Sequence, residues 1–173
     1  IPKKKNRDRF ILSKGHAGAA VYGALAERGF FPIKDLKKHC SNGSYLSGHI
    51  SHKGVPGVEF STGSLGHGLS VSTGMALSGK ISKSSFRTYA LLSDGECNEG
   101  STWEAAMFAS HNKLDNLCAI IDVNRLGQSQ PTIHGHLARR YRKKFAAFGW
   151  NSVVIDGHSV SQLLAAFNVA RNS

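Results

Sequence analysis

A chain of 173 residues with 40% hydrophobic and 19% charged side chains has the apolar content of one packed domain rather than of a disordered segment. Its net charge of +11, from 22 basic against 11 acidic residues, raises the question of anionic partners, while no run approaches the length of a membrane span. Cys40, Cys97 and Cys118 form neither a CxxC pair nor a metal-ligand spacing, so buried or bystander thiols are expected rather than a structural zinc site.

The opening IPKKKNRDRF places Lys3, Lys4, Lys5, Arg7 and Arg9 together but lacks the apolar segment of a secretory signal, so a soluble cytoplasmic protein is expected. HAGAAVYGALAERGF predicts a helix from Ala and Leu content, closing at Gly29, which can take the left-handed conformation. LSVSTGMALSG predicts a weaker helix, with Ser72 and Gly74 as internal liabilities. TYALLS reads as a strand, and STWEAAMFASHNK as a helix capped by Ser101 with Glu104 completing a capping box. The continuous apolar run of NLCAIIDV fits a buried parallel strand.

In LARRYRKKFAAFG, a helix would align Leu137, Tyr141, Phe145 and Phe148 as an apolar stripe. Arg139, Arg140, Arg142, Lys143 and Lys144 would then face outward as a solvated surface. Attraction of anionic substrates is the functional alternative. No zinc finger, RNA-recognition signature or KH glycine loop accompanies this charge, so nucleic acid is not the expected partner. NSVVID predicts a last strand and VSQLLAAFNVA a last helix. The alternation predicts an α/β fold, a parallel sheet with helices on both faces, and ligands beyond the carboxyl ends of its strands.

At those ends the residue types become informative. LLSDGECNEGS carries Asp94, Glu96 and Glu99 directly after one strand, and Asp122 and Asn124 follow the next. Asp94 offers an anionic oxygen, Asn124 an amide oxygen, and a backbone carbonyl just downstream, such as that of Leu126, a third ligand. Such a set suits Mg²⁺ whose remaining positions go to phosphate oxygens and water, the arrangement expected for a bound diphosphate. An ordinary Asp-Gly turn fits the same residues. STGSLGHG contributes Gly63, Gly66 and Gly68, which permit close backbone approach, but it is neither a dinucleotide fingerprint nor a Walker loop. His16, His49 and His67 lie beside glycines, where each could donate a hydrogen bond or carry a proton near neutral pH.

Taken together, LLSDGECNEGSTWEA followed by IIDVNRLGQS resembles the thiamine-diphosphate signature of transketolases, a Gly-Asp-Gly turn followed about 30 residues later by Asn. The resemblance continues through NRDRFILSKGHAGAAVYGALAERGF, SGHI, STGSLGHGLSVSTGMA and FAAFGWNSVVIDGHS, in order along nearly the whole chain. It implies a thiamine-diphosphate-binding fold over residues 1–173, as a single, incomplete domain of transketolase type. It further implies that Asp94, Asn124 and the Leu126 carbonyl hold Mg²⁺, and that Gly95 approaches the diphosphate through its backbone. His16 and His49 would lie near cofactor and sugar phosphate as catalytic groups, Leu65 would pack beside the cofactor, and Gln128 would border its site. Glu99 would support the subunit contact through which a partner's pyrimidine-binding domain places its own catalytic glutamate.

The implied activity is transfer of a two-carbon ketol unit from a ketose phosphate to an aldose phosphate. The implied partner is the pyrimidine-binding domain or subunit, in a homo- or hetero-oligomer. Departures from the pattern are Ser93 in place of the first Gly, Ile50 in place of a Pro, and His67 in place of a Gln. Another thiamine-diphosphate enzyme, such as a deoxyxylulose phosphate synthase-like ligase, and a catalytically silent binding or regulatory chain are the alternative readings.

Overall fold

The structure, a computed structural model, describes residues 4 and 6–172. Lys3 and Lys5 of the basic amino-terminal run lie outside the described residues. Three parallel strands form the sheet: β1 (Arg9–Leu12), β2 (Thr88–Ser93) and β3 (Leu117–Asp122), in the order β1-β2-β3. The register pairs Leu12 with Leu91 and Ser93 with Asp122, so all three carboxyl ends open at one edge. The ladder continues one step further, since Asp94 N donates to Asp122 O at 3.1 Å.

Alternation along β2 separates two cores, as the pleat requires. Ala90 and Leu92 face a cluster containing Leu69, Ala106, Leu117 and Phe145, drawn from α2 (His67–Ile81), α3 (Gly100–His111), β3 and α4 (Ala138–Ala147). Leu91 faces the other cluster, where Leu12 meets Tyr22 and Ala26 of α1 (Gly18–Glu27), with Leu46, Ile50 and Val55 from the long segment that follows. Leu46, Leu69 and Leu92 are fully buried, which stabilises the fold by about 1.5–3 kcal/mol for each side chain. A last helix, α5 (Val160–Asn172), buries none of its residues fully. No described helix is long and apolar enough to cross a membrane.

Several local expectations change in the folded chain. Strand β1 is four residues long and begins on Arg9, too short and too charged to announce itself by periodicity. The predicted strand in NSVVID is absent: residues 151–156 join no ladder, and Val153 and Val154 are 59% and 46% exposed. Side chains hold that backbone instead, with Arg142 Nε donating to Ser152 O and Gln162 Oε1 accepting from Asp156 N, each at 3.0 Å. The first helix is shorter than predicted, since a 3₁₀ turn occupies Gly15–Ala17, but Gly29 does take φ +76° after its end.

The capping box does not form. Helix α3 begins one residue early, at Gly100, with Glu99 as an N-cap that makes no side-chain cap bond, because the Ser101 hydroxyl is drawn to Gly66 O at 3.0 Å. In α2 the expected liabilities are accommodated: Ser72 is buried with its hydroxyl donating to Gly68 O at 2.7 Å, and Gly74 faces solvent. On α4, Tyr141 and Phe145 are buried and the five basic residues are exposed, yet Leu137 leaves the predicted apolar stripe and is 53% exposed.

Candidate functional site

The parallel register brings three loops to one edge: Ser13–His16 after β1, Asp94–Glu99 after β2 and Asn124–Thr132 after β3. The three carboxylates after β2 take three different environments. Asp94 is fully buried at the strand end, Glu96 is fully buried beneath the loops, and Glu99 is exposed.

Asp94 is held by donors from both sides of the site. Its Oδ1 accepts from Gly95 N at 3.0 Å, and its Oδ2 accepts from Arg125 N at 3.0 Å and from the Thr132 hydroxyl at 2.6 Å. Arg125 N lies between Asn124 and Leu126, so this bond sets the buried carboxylate against the backbone that carries the other two expected metal ligands. Asn124 is oriented from both ends as well: its Nδ2 donates to Asp122 Oδ2 and its Oδ1 accepts from Leu126 N, each at 2.9 Å. The same Asp122 oxygen receives Lys14 Nζ at 2.6 Å, and the Lys14 side chain is only 8% exposed. Because a carboxylate only accepts and a backbone N–H only donates, these partners fix which face of the Asn124 amide is oxygen.

These donors fit a hard cation. Asp94 Oδ1 and Asn124 Oδ1 each take a single hydrogen bond and keep lone-pair capacity for a metal, and one carboxylate with neutral oxygens is the set from which Mg²⁺ completes its shell with phosphate and water. Among the described residues, no group of three or more His, Cys, Asp or Glu side chains is placed to hold a metal ion. A Cβ built on Gly95 would meet nothing closer than 3.8 Å, so room remains beside its backbone.

Glu96 ties the loops together. Its Oε1 accepts from the Ser13 hydroxyl and from Gly66 N at 3.0 Å, and its Oε2 accepts from Ser93 N at 2.9 Å. Gly66 needs its left-handed φ of +80° to start α2 here, and a side chain on it would strike Glu99 and Ser101. Leu65 beside it is half-buried, and His67 turns Nδ1 toward the carbonyls of Ser64 and Leu65 rather than toward the strand ends.

His16 and His49 are brought together. Ile50 N donates to Gly15 O at 3.0 Å, joining their loops, and the ring of His49 lies 3.3 Å from where a Cβ on Gly63 would stand. Both histidines are exposed side chains on anchored backbone: the hydroxyls of Tyr22 and Ser47 donate to His49 O at 3.2 and 2.6 Å. Although His16 is exposed, partial desolvation, then the positive charge of Lys14 and the neighbouring His49, pull its pKa below the ordinary value, against an opposing pull from Glu96.

Gln128 stands at the exposed tip of a hairpin closed by the Leu126–Pro131 bridge, where it lines a groove of about 630 Å³ with Leu126, Pro131 and His136. The lining of the groove includes Arg125 and Leu126 but not Asp94, Gly95 or Asn124. Of the thiols, Cys97 is buried and pushed up to about 12 mainly by burial, while Cys40 is exposed; all three are free. Sequence reasoning missed Lys14, Glu96 and Thr132 as builders of this edge. Only Glu96 carried a signal, as an acid placed immediately after a strand end.

The family described as the transketolase thiamine diphosphate binding domain matches residues 1–173. The transketolase of Pongo abelii is 49% identical over 172 residues, covering 99% of this chain and 27% of that protein. One of the subunits of the apulose-4-phosphate transketolase of Phocaeicola vulgatus is 44% identical over 166 residues, covering 96% of this chain and 59% of its own length. Among solved structures, the transketolase of Campylobacter jejuni superposes with a TM-score of 0.90 at 30% identity, covering 99% of this chain and 29% of that one. A Pichia stipitis transketolase R525L mutant gives 0.88 at 34%, covering 99% of this chain and 28% of its own.

Proposed function

The chain belongs to the transketolase thiamine-diphosphate-binding domain family, and from that premise we propose that it supplies the diphosphate- and Mg²⁺-holding side of a transketolase active site. The observation that carries this reading is the buried Asp94 carboxylate, bonded to the backbone between Asn124 and Leu126 at the carboxyl edge of a parallel sheet. Asp94, Asn124 and the Leu126 carbonyl would hold Mg²⁺, and Gly95 would let the diphosphate approach its backbone. Thiamine diphosphate, when bound, supplies the electron sink for cleaving and rejoining a carbon–carbon bond.

The chain's own residues would bind, orient and move protons. His16, its pKa depressed, is neutral near pH 7 and able to accept a proton from a sugar hydroxyl, and His49 beside it would share that task. Leu65 would give the cofactor an apolar contact, and Gln128 would border the site from the hairpin. The substrates of this reading are a ketose phosphate donor and an aldose phosphate acceptor.

The chain spans about a quarter of the length of the first curated transketolases it matches, and the P. vulgatus relative is named as one chain of a multi-subunit enzyme. The proposal therefore includes a pyrimidine-binding domain or second subunit, meeting this chain near the exposed Glu99, which would bring the glutamate that activates the aminopyrimidine. Calorimetric titration of thiamine diphosphate, with and without Mg²⁺, tests the metal roles in the assembled protein. Asp94→Asn and Asn124→Ala should each weaken the Mg²⁺-dependent affinity by roughly tenfold or more while the far-ultraviolet spectrum stays native. Unchanged affinity in both variants would rule the assignment out.

A further inference from the structure

Two donors on one carboxylate oxygen make Asp94 asymmetric. Among the described residues, Oδ2 accepts from Arg125 N and from the Thr132 hydroxyl, whereas Oδ1 accepts from Gly95 N alone. A carboxylate has about four lone-pair sites, two on each oxygen, so Oδ2 is filled and Oδ1 retains a site. Arg125 N belongs to the backbone and is present whatever the side chains are. Thr132 is the side-chain contribution to this asymmetry.

Thr132 is firmly placed for such a role. It is 8% exposed, and its own N–H donates to Arg125 O at 3.0 Å, so amide and hydroxyl both close on the turn after β3. Its hydroxyl lies 2.6 Å from Asp94 Oδ2, the short distance of a charge-assisted bond. Its methyl group is 3.8 Å from where a Cβ on Gly95 would stand, so it borders the room left beside that backbone.

We propose that Thr132 is a positioning residue for the cation site: by occupying Asp94 Oδ2 it fixes the carboxylate plane and leaves Oδ1 as the oxygen presented to Mg²⁺. The inference rests on the reading of Asp94 as a metal ligand. Without the hydroxyl, Oδ2 keeps one donor, the two oxygens become closer to equivalent, and the carboxylate can turn away from the metal position. Partners that orient a metal ligand in this way are worth about 10–100-fold in metal affinity.

The test uses the assembled protein. Thiamine diphosphate binding is followed by calorimetry over a series of Mg²⁺ concentrations, with Asp94→Asn as the reference for loss of the site. Thr132→Val removes the hydroxyl and keeps the shape, and Thr132→Ser keeps the hydroxyl and drops the methyl group. The Mg²⁺ concentration for half-saturation should rise roughly tenfold in Thr132→Val and stay within about twofold in Thr132→Ser. A packing role predicts the reverse order, with the serine variant the weaker.

Should the valine variant fail to fold, Thr132→Ala carries the same comparison against serine. Wild-type Mg²⁺ dependence in the hydroxyl-free variant, alongside a weakened Asp94→Asn, would overturn the role of Thr132 and leave the metal site standing. Wild-type dependence in Asp94→Asn itself would overturn the site, and the proposal with it.

Discussion

His16 stands next to Gly15 on a loop whose charge comes from its own neighbour, Lys14. Although the residue is exposed, partial desolvation is the largest influence on the ring, and Lys14 and His49 add to it, so the charged form is disfavoured and the folded-state pKa is lowered. The sign of the pH dependence follows. The unfolded chain, with an ordinary histidine near 6.5, binds its proton more readily, so the contribution of His16 to stability is present above that value and is lost as pH falls through the lower folded-state pKa. Nuclear magnetic resonance titration of the His16 ring should give a midpoint below 6.5, and Lys14→Met should move it upward by removing a positive neighbour. A midpoint unaffected by that substitution would remove Lys14 from the groups that set it.

Helix α2 shows how closely the elements approach and how differently two of its glycines behave. A Cβ on Gly68 would lie 2.4 Å from the Ser13 Cβ and 2.6 Å from its Cα, inside any possible contact, because the start of α2 is drawn against the end of β1. One turn and a half later, Gly74 faces solvent and a Cβ there would meet nothing within 4 Å. Gly68→Ala should therefore destabilise the fold by about 1–3 kcal/mol through overpacking. Gly74→Ala should stabilise it by roughly 0.5–1 kcal/mol through helix propensity and a less free unfolded chain. Urea denaturation midpoints measure both, and a loss of stability at Gly74 would contradict the geometry of α2.

The elements legible in the sequence were those whose pattern is local. TYALLS gave the limits of β2, the central strand, and NLCAIIDV enclosed β3, whose apolar run is only half-buried because it stands at the edge of the described sheet. Residues 151–156 carry a similar apolar run but find no ladder to join among the described residues, and pairing rather than composition makes a strand. The capping box failed for a related reason: Ser101 has a distant carbonyl, Gly66 O, within reach, which no local pattern announces. At the site, Asp94 and Asn124 were visible as oxygen groups after successive strands. Thr132, reached across a hairpin, and Lys14, reached across the sheet, were not, since their roles depend on register.

At the scale of the whole molecule, the parallel sheet collects the buried carboxylates of Asp94 and Glu96, one oriented amide and two adjacent histidines at a single edge. The family match covers the chain from end to end, and within the matched transketolases it corresponds to about a quarter of the protein. On the proposed reading, the 173 residues hold the diphosphate and handle substrate protons, while activation of the aminopyrimidine depends on a glutamate contributed by another domain or chain.

The most direct measurement is ketol transfer by the purified 173-residue chain under saturating thiamine diphosphate and Mg²⁺, with and without a matched pyrimidine-binding chain, following the shortened aldose and the lengthened ketose together. The account predicts neither product from the chain alone and both, in step, from the assembled pair. Strong transfer by the isolated chain with contamination excluded, or an assembled complex that moves no two-carbon unit, would contradict it.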